Sequence, residues 1–411
     1  MRVALISRAV FGLHGYGGME RHVLELARFL HRAGAEVTLV TMPPHRQAEW
    51  TEPGIDLQVV TASRLPLRGI ADRVTNYPYW SRAAGELVAS RPFDVVHAQG
   101  LSGWGYARLL AQGRAHAPLI IAPQGMEEFK TSLAKRIAYI PFHLMAQQAA
   151  ESASALIAAD SAAVADIPRF LHASPDRVVL IPNGIDVDAA LQWVDLALQR
   201  DLALRFQLQN RTPLLLSVGR LESNKGFDVL LEALGRIRPS LPSRWLWLLV
   251  GAGSQRARLE KRARVLKLGD HVRFLGALDD LTLHNLYEMA TLFVHPTLFE
   301  GSVLVTLEAM AHRRPVVATA VGGNPDKVLR GRNGYLVAPG NPVELGDKIL
   351  LALRDAVHLR EMGQASYEIV RQAFDWPQTI SQTLALYAQV IGKPALAMPQ
   401  TPLSANLPLN T

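Results

Sequence analysis

The stretch TLFVHPTLFEGSVLVTLEAMAHRRPVVATA, residues 291–320, contains two short apolar runs on either side of a segment with helical character. The runs at 292–295 and 315–318 fit strands that are buried on both faces, and residues 304–312 fit a helix between them. A strand, a helix and a second strand joined by short loops form a βαβ unit, whose two strands lie parallel in one sheet. This stretch therefore predicts an α/β fold.

The same alternation of apolar runs and helical segments extends over most of the 411 residues. Because single hydrophobic cores stop growing near roughly 250 to 300 residues, we expect two domains. We predict two Rossmann-like domains that face each other across a cleft, since open α/β sheets bind ligands at the carboxyl ends of their strands. The predicted strands are 3–7, 37–41, 57–61, 95–98, 119–122, 155–159 and 178–181 in the first domain, and 214–218, 245–250, 272–275, 292–295, 315–318 and 334–337 in the second.

The domain limits follow from a gap in this pattern. Residues 187–212 fit a helix and a loop without a strand signal, so we place the first domain at 1–185 and the second at 186–374. Residues 375–392 are expected to form a last amphipathic helix that packs back on the first domain. The tail 393–411, rich in Pro, Ala and Leu, is expected to be disordered.

Composition excludes several kinds of site. The chain has no cysteine, so disulfides, thiolate metal sites, iron–sulfur clusters and cysteine nucleophiles are ruled out. The N-terminal residues are too weakly apolar for a signal sequence or a membrane span, and the cytoplasm is the expected location. The net charge is +7, and residues 191–275 carry 15 basic and 7 acidic side chains. This excess suits an anionic ligand or an acidic membrane face, and nucleic acid is disfavoured because no reading motif accompanies it.

A glycine-rich segment, HGYGGME at 14–20, follows the first predicted strand and precedes a helical stripe. Glycines at such a turn allow the backbone to approach a phosphate, and the helix N-terminus favours its charge, so Gly17 and Gly18 are candidates. A glycine-rich turn without a ligand is the alternative. The spacing is not that of a dinucleotide fingerprint, which argues against a Rossmann oxidoreductase.

Two cations open the second domain, in SVGRLESNKGF at 217–227. Arg220 and Lys225 lie in the turn after a strand, where both could reach a diphosphate, Arg220 as a planar fork and Lys225 as a point charge. The alternative for each is a solvated loop cation.

Two carboxylates follow the strand at 292–295. Glu300 falls in the loop and Glu308 in the helix, at most about 12 Å further along, so the pair could bracket a sugar, a diphosphate and a ribose. Carboxylates grip sugars by accepting paired hydroxyl hydrogen bonds. The free N–H groups at the start of the helix could bind a phosphate, which makes candidates of Gly301, Ser302, Val303 and Leu304.

Eight segments in order resemble the retaining glycosyltransferases of family 4, which have the GT-B fold, and the resemblance covers nearly the whole chain to Tyr387. They are GGMERHVLELARFL (17–30), IPNGID (181–186), SVGRLESNKGFDVLLEAL (217–234), LLVGAGSQRARLE (248–260), VRFLGAL (272–278), LYEMATLFVHPTLFEGSVLVTLEAMA (286–311), PVVATAVGG (315–323) and GRNGYLVAPG (331–340).

The resemblance implies roles for the same residues. Glu300 would contact the donor sugar and Glu308 the ribose, while Arg220 and Lys225 would neutralise the diphosphate leaving group, so that no metal is needed. The leaving phosphate would itself take the proton of the acceptor. The implied catalytic set is Arg220, Lys225 and Glu300, and the implied donor-binding set also contains Gly17, Gly18, Gly219, Gly251, Leu275, Gly301, Ser302, Val303 and Leu304.

The chain departs from the family pattern on the acceptor side. Gln124 in Pro123-Gln124-Gly125 and Gln99 in His97-Ala98-Gln99 stand where histidines are common, and glutamine cannot be a general base. His97 and Gln124 are the acceptor-side candidates, with a structural role for His97 as the alternative. In the glutamate motif, Ser302-Val303 replaces a frequent Phe-Gly pair.

Two segments bear on a membrane partner. QRARLEKRARVLK at 255–267 is expected to be a solvated helix face, with contact to a membrane or polyanion as the alternative. Residues 129–145 mix cations with apolar side chains, which fits a half-buried helix or one that touches an anionic bilayer.

The sequence therefore predicts a glycosyltransferase of the hexosyl-transferring kind. We expect it to move a sugar from a nucleoside-diphosphate sugar to a saccharide or lipid-linked acceptor in bacterial-type synthesis of envelope polysaccharide, lipopolysaccharide or glycolipid. It is expected to work in the cytoplasm, with peripheral contact to the inner face of the membrane left open. The alternative is a catalytically silent protein of the same fold that binds a nucleotide or a glycan.

Overall fold

The computed structural model describes residues 1–15, 17–44, 49–62, 69–123, 139–209 and 212–393. They form two compact units. The first unit comprises Met1–Asn183 together with the segment that begins at Pro377, and the second comprises Gly184–Trp376. The predicted limits were 185 and 374.

The first unit is built on a seven-stranded parallel sheet with the order β3-β2-β1-β4-β5-β6-β7. Its strands are β1 Arg2–Ile6, β2 Glu36–Thr41, β3 Ile55–Val59, β4 Val95–Gln99, β5 Leu119–Ala122, β6 Ala155–Ala158 and β7 Val178–Leu180. Its helices are α1 Gly18–Arg32, α2 Gly69–Ala89, α3 Trp104–Ala111, α4 Ile140–Ser152 and α5 Ser161–Leu171.

The second unit contains a six-stranded parallel sheet with the order β10-β9-β8-β11-β12-β13. Its strands are β8 Leu214–Val218, β9 Leu246–Val250, β10 Val272–Gly276, β11 Leu292–His295, β12 Val316–Thr319 and β13 Gly334–Val337. Its helices are α6 Val187–Gln192, α7 Leu196–Arg205, α8 Phe227–Ile237, α9 Arg256–Val265, α10 Asp280–Met289, α11 Leu304–Ala311, α12 Asn324–Lys327, α13 Pro342–Leu353 and α14 Ala356–Ile369.

The central strands are apolar on both faces because helices cover both sides of each sheet. Every residue of β8, β9 and β11 is buried, including Trp247 and Phe293. The two faces of the second sheet belong to two separate hydrophobic clusters, one around Trp247 and Leu249 and one around Leu248 and Phe293. Uninterrupted apolar runs are the sequence mark of such strands, and the α/β prediction with two Rossmann-like units is confirmed.

The segment between the sheets differs from the prediction of one helix. A second helix begins after Asp195, whose carboxylate accepts hydrogen bonds from the backbone amides of Ala197 at 2.7 Å and of Leu198 at 3.1 Å. An aspartate in this position satisfies N–H groups that lack a partner within the helix. Two short helices, α6 and α7, therefore replace the expected single one.

The last helix, α15 Trp376–Ile391, contributes side chains to the first unit. Tyr387, Leu384 and Ile380 are buried, and Thr379 Oγ1 donates to the carbonyl oxygen of Pro182 at 3.1 Å. The predicted tail, 393–411, lies outside the described residues from 394 onward.

Candidate active site

The candidate residues of the second unit lie where the order of its strands reverses. The chain runs outward from β8 through β9 to β10, then returns to the other side of β8 with β11. The loops after β8 and β11 therefore leave from neighbouring carboxyl ends, and such switch points are where open α/β sheets bind ligands. Arg220 and Lys225 follow β8, and Glu300 follows β11.

Backbone contacts hold these two loops together. The amide of Leu298 donates to the carbonyl oxygen of Asn224 at 2.8 Å, and Thr297 Oγ1 donates to the same oxygen at 3.1 Å. Gly226 has a φ of 65°, and a Cβ there would stand 2.1 Å from the carbonyl oxygen of Pro296. Only glycine tolerates both the left-handed backbone and this approach, so it is required where the loops join.

The junction places the ammonium group of Lys225 against the carboxylate of Glu300. Lys225 Nζ donates to Glu300 Oε1, and His295 Nε2 lies 3.0 Å from Glu300 Oε2. The side chains of Lys225 and Glu300 are 10% and 22% exposed, so the pair is largely removed from water. Charge interactions are stronger in such surroundings than at an open surface.

These partners keep Glu300 ionised. Burial raises the pKa of Glu300, but the hydrogen bond from His295, the charge of that imidazole when it is protonated in acid, and the charge and hydrogen bond of Lys225 outweigh burial and lower the pKa to about 2. Burial lowers the pKa of His295, against the opposing effect of Glu300. At neutral pH the imidazole is therefore neutral and stabilises Glu300 as a hydrogen-bond donor, while the cationic charge comes from Lys225.

The tautomer of His295 follows from the same contact. An ionised carboxylate only accepts, so Nε2 of His295 carries the hydrogen and Nδ1 is bare. Nδ1 is buried, and within the described part of the chain it has no hydrogen-bond partner. His295 was not selected from the sequence, although its position at the end of β11 could have suggested it.

Glu308 is held by a different group. It lies on α11, and the hydroxyl of Tyr287, on α10, donates to Glu308 Oε2 at 2.8 Å. Tyr287 is fully buried and Glu308 is half-buried. Tyr287 was also not selected from the sequence.

A third loop, the one after β12, packs against the backbone that leads into α11. Gly322 has a φ of 52°, and a Cβ there would stand 2.3 Å from the carbonyl oxygens of both Glu300 and Gly301. Lys327, almost fully buried, donates from Nζ to the carbonyl oxygen of Val303 at 2.9 Å. This loop therefore fixes the backbone that carries Glu300.

The predicted residues Gly301, Ser302, Val303 and Leu304 form the turn into α11, and Val303 is the residue before its first turn. Ser302 Oγ is buried and has no hydrogen-bond partner among the described residues. An unpaired buried hydroxyl is uncommon, and the phosphate role of this turn stays a prediction.

The other donor-side candidates lie at the carboxyl ends of β8, β9 and β10. Gly251 has a φ of 136°, and a Cβ there would stand 1.9 Å from the carbonyl oxygen of Gly219. The amide of Gly251 also donates to Gly276 at 2.8 Å, next to Leu275. These glycines thus allow neighbouring strand ends to approach closely. Arg220, which follows β8 as Lys225 does, is exposed, and among the described residues its guanidinium forms no ion pair with Glu300.

In the first unit, Gly17 and Gly18 form the start of α1. A Cβ at Gly17 would stand 2.2 Å from Glu20 Oε2, so the carboxylate of Glu20 lies over the first turn. An acidic side chain there stabilises a helix as a phosphate would. The phosphate role of Gly17 and Gly18 stays a prediction.

His97 lies among buried groups of the first unit. Its Nδ1 is 2.6 Å from the hydroxyl of Tyr387, and Gln99 Nε2 is 3.3 Å from its Nε2. Burial, and then the nearby charge of His22, lower the pKa of His97 to about 3. These contacts support a structural role for His97. Gln124, the other acceptor-side candidate, lies outside the described residues.

Of the two segments with a possible membrane contact, 255–267 lies wholly within the described residues and 129–145 only from residue 139 onward. The cations of α9 are exposed and two are paired, Arg256 with Glu260 at 2.9 Å and Arg262 with Glu232, while Leu259 and Ala263 are buried. Residues 129–138 lie outside the described residues, and α4 begins just after them. Among the residues that the structure describes, no helix is long and apolar enough to cross a membrane.

Two Rossmann-like units are the architecture of the GT-B class, and an ionised carboxylate and a buried cation lie at the switch point of the second unit. Family models agree: residues 202–369 match "Glycosyl transferases group 1" and residues 16–189 match "Glycosyltransferase Family 4". The chain belongs to glycosyltransferase family 4, and it is an enzyme that transfers a sugar.

Individual proteins are similar over nearly the full length. D-inositol 3-phosphate glycosyltransferase 2 of Catenulispora acidiphila is 30% identical, over 95% of each chain. The structure of sucrose-phosphate synthase from Thermosynechococcus elongatus has a TM-score of 0.81 and 25% identity, covering 95% of this chain and 99% of that one. Anabaena HepE, solved in complex with UDP, has a TM-score of 0.75 and 19% identity, covering 95% of this chain and all of that one.

Proposed function

We propose that the enzyme is a retaining transferase that moves a hexose-type sugar from a nucleoside-diphosphate sugar to a saccharide or lipid-linked acceptor. The observation that carries the proposal is the contact of Lys225 with an ionised Glu300 at the switch point of the second sheet. A buried cation suits a diphosphate, and a carboxylate that never protonates at neutral pH suits sugar hydroxyls. The UDP bound to Anabaena HepE supports a nucleotide donor.

In the proposed step, the bond between the sugar C1 and the β-phosphate oxygen breaks, and the acceptor oxygen forms a bond to C1 on the same face. The acceptor proton passes to the departing phosphate oxygen. Negative charge grows on that oxygen, where Lys225 and Arg220 would stabilise it, and preorganised charges of this kind lower the barrier. Glu300 would hold the donor sugar and Glu308 the ribose.

The proposed reaction needs no metal, because the two cations neutralise the diphosphate. Activity is therefore expected to be unchanged after treatment with EDTA. Loss of activity that added Mg²⁺ or Mn²⁺ restores would contradict this part of the proposal.

The acceptor is proposed from chemistry outside the donor site. The relatives are named for D-inositol 3-phosphate, which is the first compound to test beside saccharide and lipid-linked acceptors of envelope polysaccharide, lipopolysaccharide or glycolipid synthesis.

Peripheral contact with the inner face of an anionic membrane is supported by the exposed Ile140 and Leu144 of α4, 50% and 54% accessible, and by the cations of α9. A protein that fails to bind anionic liposomes at low salt would contradict the membrane contact.

A second candidate is a protein that binds a nucleotide or glycan without turnover. It is favoured by the contacts of both ring nitrogens of His97 with Tyr387 and Gln99, which support a structural rather than an acceptor-side role for this histidine. Hydrolysis of the donor separates the two, because only a transferase breaks the sugar–phosphate bond.

The test begins with a panel of nucleotide sugars ranked by thermal shift, and the best donor is then assayed with the acceptors above. Lys225→Ala and Glu300→Ala should each lower kcat by about a hundredfold or more, the usual effect of removing one preorganised contact. Arg360→Ala, an exposed cation of α14 outside the site and the segments considered for membrane contact, is the control and should keep full activity. Wild-type turnover in either site variant would refute the assigned roles, and NMR of the product tests retention.

A further inference from the structure

Behind Glu308 lies a chain of buried side chains that the proposed reaction does not use. It begins at Tyr287, whose hydroxyl is 2.8 Å from Glu308 Oε2 and 3.4 Å from the carbonyl oxygen of Val305. A phenol has one hydrogen, and it goes to the closer and charged acceptor because such bonds are stronger. The hydroxyl therefore points at Glu308.

The ring of Tyr287 is itself held in place. The imidazole of His312 stacks on it with centroids 5.8 Å apart and planes 7° apart, and the ring of Phe293 packs against it at 5.7 Å. Tyr287 and His312 are both fully buried. The phenol thus has little freedom to turn away from Glu308.

His312 is in turn fixed by polar groups on both nitrogens. Its Nδ1 lies 3.0 Å from Glu288 Oε2, and its Nε2 lies 2.9 Å from Nδ1 of His284. A carboxylate only accepts, so Nδ1 of His312 donates to Glu288, and its Nε2 shares one hydrogen with Nδ1 of His284. Arg314 lies 3.7 Å from Glu288 Oε1 and completes the chain with an ion pair.

We propose that Tyr287 is a positioning residue that fixes the carboxylate of Glu308 for the ribose of the donor, and so sets the preference for ribonucleotides over deoxyribonucleotides. A phenylalanine would fill the same space in the core, so the specific contribution of tyrosine is the hydroxyl that reaches Glu308. The inference rests on the proposed function, which assigns the ribose to Glu308.

The physical basis is the cost of ordering a flexible side chain. A glutamate that must be ordered when the ligand binds loses rotamer freedom, and long flexible side chains of this kind lose the most. A glutamate that is already oriented does not lose it again, which is the usual gain from preorganisation. The phenol hydrogen bond occupies one of about four lone-pair sites on a carboxylate, so this bond does not by itself exclude hydrogen bonds from sugar hydroxyls.

The test compares a nucleotide with its 2′-deoxy form. The tightest binder among UDP, GDP and ADP, and its 2′-deoxy analogue, are titrated calorimetrically into the full-length wild type, Tyr287→Phe, Glu308→Ala and the double variant. Tyr287→Phe should weaken binding of the ribonucleotide about five- to tenfold and of the deoxy form less than twofold. In the Glu308→Ala background it should have no further effect.

Steady-state kinetics add a second readout. Tyr287→Phe should raise the KM for the sugar donor by the same factor and leave kcat within about twofold, because orientation of a ribose ligand acts on ground state and transition state alike. Tyr335→Phe, which removes a hydroxyl from another buried tyrosine of the same unit, is the matched control and should leave both quantities unchanged.

The outcomes separate this inference from the function on which it rests. An unchanged ratio of the two affinities in Tyr287→Phe, with a clear change in Glu308→Ala, overturns the role of Tyr287 and leaves the proposed function intact. Equal losses for both nucleotides, together with a lower melting temperature, also overturn it by showing a structural role. A wild type that binds none of the three nucleotides overturns the proposed function, and this inference falls with it.

Discussion

Replacing Lys225 with methionine should destabilise the second unit in a way that depends on both pH and Glu300. The pKa of Glu300 is about 2, against an ordinary value of 4.5. The difference of roughly 2.5 units corresponds to about 3 kcal/mol that favours the ionised carboxylate in the folded protein. His295 and Lys225 together supply this energy and also offset the burial of the carboxylate.

The direction with pH follows from the lowered pKa. Below pH 4.5 the unfolded chain protonates Glu300 before the folded protein does, so the contribution is complete above that pH and is lost as pH falls toward 2. By pH 3.5 about 1.5 kcal/mol of it should be gone. Glu300→Gln removes the titrating group and with it this part of the pH dependence.

The assay is urea unfolding at pH 6 and pH 3.5, followed by tryptophan fluorescence, for wild type, Lys225→Met, Glu300→Gln and the double variant. At pH 6 Lys225→Met should cost about 2 to 4 kcal/mol, somewhat below the usual cost of breaking a buried pair because Glu300 is 22% exposed. The cost should shrink at pH 3.5 and in the Glu300→Gln background. An equal cost at both pH values and in both backgrounds would refute the coupling.

Two further predictions concern the frame around the site and the first unit. Gly226→Ala should lower the melting temperature more than Gly113→Ala. Both residues have a left-handed φ, 65° and 68°, which costs an alanine about 1 to 2 kcal/mol in either place, but only at Gly226 would the new Cβ meet backbone, at 2.1 Å. Equal shifts in melting temperature would contradict the role of Gly226 in joining the loops. Tyr387→Phe should destabilise the protein by about 1 to 3 kcal/mol, because it leaves a buried nitrogen of His97 unpaired. Exposed Tyr79 provides the control, and a Tyr79→Phe change of the same size in chemical denaturation would argue against the His97 contact.

The fold was predictable because it depends on local pattern. Buried parallel strands such as β8 and β11 are short, uninterrupted apolar runs, and their predicted limits, 214–218 and 292–295, match the structure. The break between α6 and α7 was missed because the helical character of 187–212 outweighed a single capping aspartate, Asp195.

The site was only partly predictable, because its contacts join distant parts of the chain. Lys225 and Glu300 were selected from their own segments, but their contact depends on the backbone bond from Leu298 to Asn224 and on the approach of Gly226 to Pro296. The direction of the His295 ring depends on the path of the following loop. Tyr287 precedes Glu308 by 21 residues on another helix, and no local pattern links them.

The assignment of α15 to the first unit has a consequence for synthesis of the chain. A ribosome completes the second unit at Trp376, while the first unit still lacks a helix that carries its buried Ile380, Leu384 and Tyr387. At about 5 to 20 residues per second, the sheet of the first unit waits roughly 10 to 40 seconds after Asn183 for that helix to be made. The part of the protein that is translated first is therefore the last to be completed.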